Sequence, residues 1–235
     1  LAIFMLKKVG LYEDVSYRFS MWDANDREKY IGTEEQWDEA QGVMRKILDY
    51  LGLDYKEGVG EAAFYGPKLD IQIKNVHGKE DTLITIQIDQ MLAEKFGMEY
   101  VDADGTKKRP YIIHRTSIGC YERTLALLIE KYAGAFPLWL APVQVKVIPI
   151  SEKHLDYAQS VADELAKLGV RVETDKRNEK VGYKIREAQL EKVPYMLIVG
   201  DKEAEEKTVS VRDRGEGDLG SMDLDTFLKK YREAL

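Results

Sequence analysis

The sequence predicts two linked folds: an antiparallel α+β unit over residues 1–142 and a mainly parallel α/β unit over 143–235. Three observations carry this. In the first half, runs of alternating apolar and polar residues come in pairs joined by turn residues, the mark of hairpins with one buried face. In the second half, near-continuous apolar strands alternate with amphipathic helices, which implies a mainly parallel sheet covered on both faces. Between them, Pro137-Leu138-Trp139-Leu140-Ala141-Pro142 is flanked by prolines and fits neither pattern, so the boundary is set there. A chain of 235 residues is also long for one compact domain and natural for two.

The elements follow in order. Residues 1–10 read as the end of a helix closed by Gly10. Val15, Tyr17, Phe19 and Met21 have the two-residue period of a strand. Thr33-Glu34-Glu35-Gln36 is a capping box, and Trp37, Ala40, Val43, Met44, Ile47 and Leu51 continue from it as one apolar stripe stopped by Gly52. Leu69, Ile71 and Ile73 form a second strand, His77-Gly78 its turn, and Leu83 to Ile88 the partner. Asp104-Gly105 predicts another hairpin, returning through Tyr111-Ile112-Ile113. A helix runs from Tyr121 to Tyr132 and ends at Gly134. In the second unit, strands are expected at 143–150, 170–172, 195–199 and 208–212. Helices are expected from Leu155 to Leu168, over 181–192 and from Leu224 to Leu235.

Composition narrows the class. No run of 18 apolar residues exists, so no membrane-spanning helix is expected. Leu1 to Leu6 are apolar but lead into Lys7-Lys8 with no basic n-region or cleavage site, which argues against a signal peptide. The single cysteine, Cys120, excludes an intramolecular disulfide and suits a reducing cytosol, so a cytoplasmic location is expected. The chain begins with Leu in a helix-like pattern, as a piece of a larger protein would.

Four patterns carry candidate chemistry. Lys176, Arg177, Lys180, Lys184 and Arg186 cluster around Asn178 in a protein of net charge −7. A local basic patch of this kind grips one part of a polyanion while the rest repels it; alternatively it is a solvated helix face. Tyr65-Gly66-Pro67-Lys68 is a tight turn that presents Tyr65 and Lys68 to one side, or an ordinary turn. His114 ends an apolar strand as a structural histidine or as one metal ligand; its spacing to Cys120, His77 and His154 resembles no zinc motif. Arg123 opens an apolar helix, where a guanidinium must be paired with Glu122 or used on a phosphate.

Together these residues resemble the C-terminal part of the threonyl-tRNA synthetase family of class II aminoacyl-tRNA synthetases, over essentially the whole chain. The resemblance rests on Ala63 to Lys68, Ile86-Gln87-Ile88-Asp89, His114-Arg115 with Gly119 and Glu122-Arg123, Trp139 to Gln144, Arg177 to Glu187, and Val193-Pro194-Tyr195-Met196 with Gly200 to Glu203. It implies the end of a class II catalytic domain, an antiparallel sheet with helices, followed by an anticodon-binding domain. It implies that His114 is one of three zinc ligands, that Tyr65 and Gln87 line a threonine pocket, and that Arg123 holds ATP with Lys68 near the adenylate phosphate. It places Asn178, Lys192, Glu203 and Arg212 against anticodon bases.

The chemistry is consistent with those roles. A site that binds the hydroxyl of threonine rejects valine, which an apolar pocket does poorly, and a zinc with an open position binds such a hydroxyl directly. The expected partners are threonine, ATP with Mg²⁺ and tRNA(Thr), in a homodimeric parent.

The departures are specific. The other two zinc ligands, class II motifs 1 and 2 and any editing domain are expected upstream of Leu1, so the zinc site is expected to be incomplete and this chain inactive alone. Asp81-Thr82-Leu83-Ile84 replaces a frequent Trp-Gln-x-Gly, which puts an ATP contact at Thr82 in question. Gln90 replaces a common phenylalanine and Cys120 a common serine, and Lys192 loses the bidentate fork of a frequent arginine. A rival of another class is a non-catalytic RNA-binding or regulatory relative with a decayed catalytic half.

Overall fold

The computed structural model describes residues 1–89 and 91–235; Gln90 lies outside the described residues. The chain divides into two compact units, Leu1–Lys131 and Tyr132–Leu235. This division precedes the Pro142/Val143 boundary. Leu138 is buried in the second core, Arg171 donates to the carbonyls of Ala141 and Trp139, and Gln144 donates to that of Leu138.

The first unit contains α1 (Ala2–Lys8), β1 (Val15–Met21), α2 (Glu34–Tyr50), β2 (Tyr55–Val59), β3 (Lys68–Lys74), β4 (Glu80–Asp89), the single turn α3 (Leu92–Lys95), β5 (Tyr100–Val101), β6 (Lys107–Lys108), β7 (Ile112–Arg115) and α4 (Tyr121–Tyr132). The main sheet runs β2-β1-β3-β4-β7, antiparallel except for β1 with β2. The Asp104-Gly105 turn joins β5 to β6, and Ile112–Arg115 pairs with β4 instead of closing that hairpin. Arg109-Pro110 separates β6 from β7, and proline has no N–H to continue a ladder. The edge strand β2, unheralded by an apolar run, is half exposed and carries Gly58.

Thr33 caps α2 as the capping box predicts, with Gln36 returning its side chain to the Thr33 amide. The buried face differs from the expected stripe by about 50° around the helix, roughly a seventh of a turn. Trp37, Ala40, Gln41, Met44 and Leu48 are buried, while Val43, Ile47 and Leu51 are exposed. Gln41 belongs inside because its Oε1 accepts from the Trp22 amide, next to the stacked rings of Trp22 and Trp37.

The second unit contains β8 (Val145–Pro149), α5 (Leu155–Lys167), β9 (Val172–Thr174), α6 (Val181–Leu190), β10 (Tyr195–Val199), α7 (Asp201–Glu206), β11 (Thr208–Asp213), β12 (Gly217–Asp223) and α8 (Leu224–Glu233). Its sheet runs β12-β11-β10-β8-β9. β9, β8 and β10 are parallel, as the alternation of strand and helix predicts, and β11 and β12 return antiparallel. One face packs Val145, Val147, Leu197 and Val211 on α5 and α8; the other packs Ile148 and Met196 on Ala188 of α6. β12 was not legible because Gly217 and Gly220 break its apolar pattern.

Candidate functional site

The first candidate site follows from strand register. Residues paired across strands share a face. Ser20 pairs Lys68, Lys68 pairs Gln87, and Gln87 pairs His114; Asp70 pairs Thr85. One face of the sheet is therefore polar across its width, while Phe19, Leu69, Ile71 and Ile84 on the other form core. A bulge between Ile71 and Gln72 leaves Leu83 unpaired and sets Thr82 opposite Gln72, on the polar face with Thr85. The segment 81–84, where the sequence departs from the family pattern, thus contains the bulge. The segment after β7 clasps it: Gly119 lies against the Leu83 carbonyl, and Nη1 of Arg123 donates to the Thr82 carbonyl.

Over that face lies a cleft of 810 Å³ lined by Tyr65, Gln87, His114 and Arg123 together with Thr82 and Thr85. Four residues singled out on separate segments therefore meet. The Tyr65 hydroxyl donates to Gln87 Oε1, and the Tyr65 ring meets His114 edge-on. Gly66 permits this turn, because a Cβ there would overlap the Ile88 carbonyl. Arg123 is exposed, not buried at the head of an apolar helix, so the expected pressure for a salt bridge is absent; its Nη1 partner is the Thr82 carbonyl.

Lys68 does not line this cleft. Its Nζ is 2.6 Å from Oδ2 of buried Asp70, which also accepts from Ser20 and Thr85, both at 2.8 Å. Asp70 was missed in the sequence and Asp89 was quoted in the resemblance without a role, although both fall on the polar positions of alternating strands.

His114 sits 2.8 Å from Asp89 through Nε2. Burial alone would push the Asp89 carboxyl up. The Leu92 amide, His114 and the Met91 amide outweigh it and hold the carboxyl below its ordinary range. The Tyr65 phenol is pushed up by burial, helped by the Asp89 charge. As a zinc ligand the imidazole fits, but among the described residues no group of three His, Cys, Asp or Glu side chains comes together to hold a metal. Protein zinc sites need three or four ligands. Metal analysis of the dialysed chain is therefore expected to give well under one zinc per chain; a stoichiometric value would overturn this.

The second candidate site lies in the second unit. Asp175, buried after β9, pins the loop that carries Asn178: it accepts from the Arg177 amide at 3.1 Å, Nε at 3.0 Å and Nη2 at 2.7 Å. The Arg177 bonds hold the Asp175 carboxyl well below the usual range. Asn178 is exposed beside a 340 Å³ cleft shared with Lys153, Lys176 and Arg177.

Lys184 does not belong to the basic surface. It is 3% exposed, and its Nζ donates to the carbonyls of Pro149 and Asp175 at 3.2 Å each. Its place in the helix turns it inward under the loop. Lys184→Ala is therefore expected to destabilise the second unit by about 2–4 kcal/mol, because two buried carbonyls lose their donor and a cavity opens. Urea unfolding measures this; unchanged stability with uniformly weaker RNA binding would restore a surface role.

Arg212 lies opposite Met196 and Ser210 opposite Ile198, so both face the α6 side of the sheet. Glu203 joins them through Ser210 Oγ at 2.8 Å while its other oxygen accepts from the Gly200 amide at 2.9 Å, closing the start of α7. Burial would push this carboxyl up; the Ser210 bond and the backbone amides hold it low. Lys192 directs its Nζ to the Ala133 carbonyl. Asn178 and Glu203 thus follow the carboxyl ends of β9 and β10; Arg212 lies two residues along β11 from the Ser210 that holds Glu203, roughly 7 Å along the strand, and Lys192 precedes the start of β10.

Comparison with known proteins bears on both sites. Residues 12–132 match the tRNA synthetase class II core domain (G, H, P, S and T), and 144–234 match the anticodon binding domain. The chain is 63% identical over 227 residues to a threonine–tRNA ligase of Clostridium perfringens, covering 97% of this chain and 35% of the relative. It is 54% identical over 217 residues to that of Geobacillus kaustophilus, covering 92% and 33%. It thus spans about a third of the curated relatives it matches. Among solved structures, the RNA binding domain of threonyl-tRNA synthetase from Cryptosporidium parvum Iowa II is similar with a TM-score of 0.88 at 35% identity, over 99% of this chain and 57% of that one. A putative threonyl-tRNA synthetase from Aeropyrum pernix gives 0.72 at 27%, over 99% and 58%. No described helix is long and apolar enough to cross a membrane.

Proposed function

Because this chain belongs to the class II tRNA synthetases and matches threonine–tRNA ligases over nearly all its length, we propose that its parent protein activates threonine with ATP and transfers it to tRNA(Thr). The observation that carries this is the meeting of Tyr65, Gln87, His114 and Arg123 in one cleft. Tyr65 and Gln87, tied to each other, line the amino acid pocket. Arg123 presents its guanidinium to ATP phosphates as charge develops. Lys68 is held by Asp70 and acts on the adenylate only if it exchanges that partner. His114 is a single zinc ligand, and the metal, when bound with ligands from the rest of the parent, supplies an electrophile for the threonine hydroxyl. Asn178, Glu203, Arg212 and Lys192 contact the anticodon from the second unit. The parent works in the cytoplasm as a homodimer, with Mg²⁺ accompanying ATP. The decayed, regulatory alternative rests on the changes at residues 81–84, which form a bulge contacted by Gly119 and Arg123; exchange by a chimera that carries this chain separates the two readings.

The test uses the chain alone and a chimera in which it replaces the matching third of the Clostridium perfringens ligase. The chain alone is expected to give no threonine-dependent ATP–pyrophosphate exchange. The chimera is expected to exchange with threonine and not with valine or proline, and Arg123→Ala within it to lower exchange by about 10²-fold or more. A folded chimera that exchanges with no amino acid, or with a different one, overturns the proposal.

A further inference from the structure

We propose that Asp89 is a positioning residue: its carboxylate accepts the Nε2–H of the His114 imidazole and fixes the ring, so that Nδ1 is the electron-pair donor offered to the cleft. The inference rests on reading His114 as a ligand in that cleft. Gln87 and Asp89 lie on the same face of β4, and Gln87 pairs His114 across to β7, so Asp89 is the diagonal neighbour of His114. The side chain of Asp89 is 2% exposed and that of His114 43%, with Nε2 and Oδ2 2.8 Å apart. The buried end of the ring is thus the end that meets the carboxylate, and the remaining edge faces the cleft.

Asp89 is itself immobilised. Its other oxygen accepts from the amides of Met91 at 2.8 Å and Leu92 at 3.0 Å. A carboxylate loaded in this way cannot rotate to release the ring without stranding two amides. The Tyr65 ring meets the imidazole edge-on, its centroid 6.1 Å away, and limits its swing. A neutral imidazole carries one proton, so a carboxylate that accepts from Nε2 leaves the lone pair on Nδ1. Histidine ligands are oriented by such outer carboxylates, whose loss weakens metal affinity by about 10–100-fold.

The chain has three histidines, so imidazole ¹⁵N resonances are assignable from His77→Gln, His114→Gln and His154→Gln. The spectra are recorded at pH 8, above the ordinary histidine range. His114 is expected to be nearly pure Nε2–H tautomer, while exposed His77 shows the mixture of an unconstrained ring. Asp89→Ala is expected to bring His114 to the His77 mixture. A mixture at His114 in the unsubstituted chain, a dominant Nδ1–H form, or an unchanged tautomer in folded Asp89→Ala would each overturn the proposal. If Asp89→Ala fails to fold, the comparison of His114 with His77 in the unsubstituted chain still decides. These outcomes are independent of pyrophosphate exchange. Exchange by the chimera alongside a mixed tautomer removes only the role of Asp89, whereas a pure tautomer without exchange removes the proposed activity.

Discussion

Gly119→Ala is expected to destabilise the first unit by about 2–5 kcal/mol, against about 1–2 kcal/mol for Gly78→Ala. Both glycines have positive φ, +84° and +78°, where an L side chain meets its own backbone. They differ in their surroundings. A Cβ on Gly78 meets open space, whereas one on Gly119 would overlap the Leu83 carbonyl at the bulge of β4. The excess is the contribution of the close approach between the segment after β7 and that bulge. Trp22 and Trp37 report on the first unit, so urea unfolding followed by fluorescence in a Trp139→Phe background isolates its transition. If Gly119→Ala unfolds no earlier than Gly78→Ala, the clasp is not what holds the bulge. The substitution also moves Arg123 away from Thr82, so in the chimera it should lower exchange through ATP.

What the sequence made legible depended on whether local pattern alone decides the outcome. The capping box at Thr33, the strand at 69–73 and the alternation beyond residue 143 are local and appear as read. The polar face of the first sheet was half legible. Tyr65 and His114 stood out in local patterns and Gln87 through the resemblance, but Asp70 and Asp89 are understood only once register sets them beside Lys68 and His114. The bulge at Leu83 was not legible: no local pattern marks it, and the Gly119 that packs against it comes from a segment 36 positions later. Lys184 shows the opposite failure. Counted in sequence it belongs to a basic cluster, yet the helical period carries it under the loop that Asp175 holds. Charge clusters read from sequence mix surface cations with those that brace the backbone, and only burial separates them.

The same distinction sharpens what the second unit should do with RNA. Residues 132–235 are expected to fold alone, whereas a fragment starting at 143 would lose Leu138 from the core and the carbonyls that hold Arg171. With the whole chain or with 132–235, weak binding of a tRNA(Thr) anticodon stem-loop is expected, falling as salt rises. Asn178 offers a donor and an acceptor from a loop whose base is pinned by Asp175, so the backbone beside it is held before any base arrives. Asn178→Ala is therefore expected to reduce discrimination against altered anticodons by about 1–3 kcal/mol while leaving the salt dependence intact. Lys176 is exposed at the same loop and has no such reading role; Lys176→Ala should weaken all stem-loops alike and lower the salt slope by about 1. The two variants separate reading from gripping in one titration series with cognate and altered stem-loops. Discrimination that survives Asn178→Ala, or a second unit with no anticodon preference before substitution, would remove the anticodon role and leave this loop as a basic surface braced by the Arg177–Asp175 ion pair.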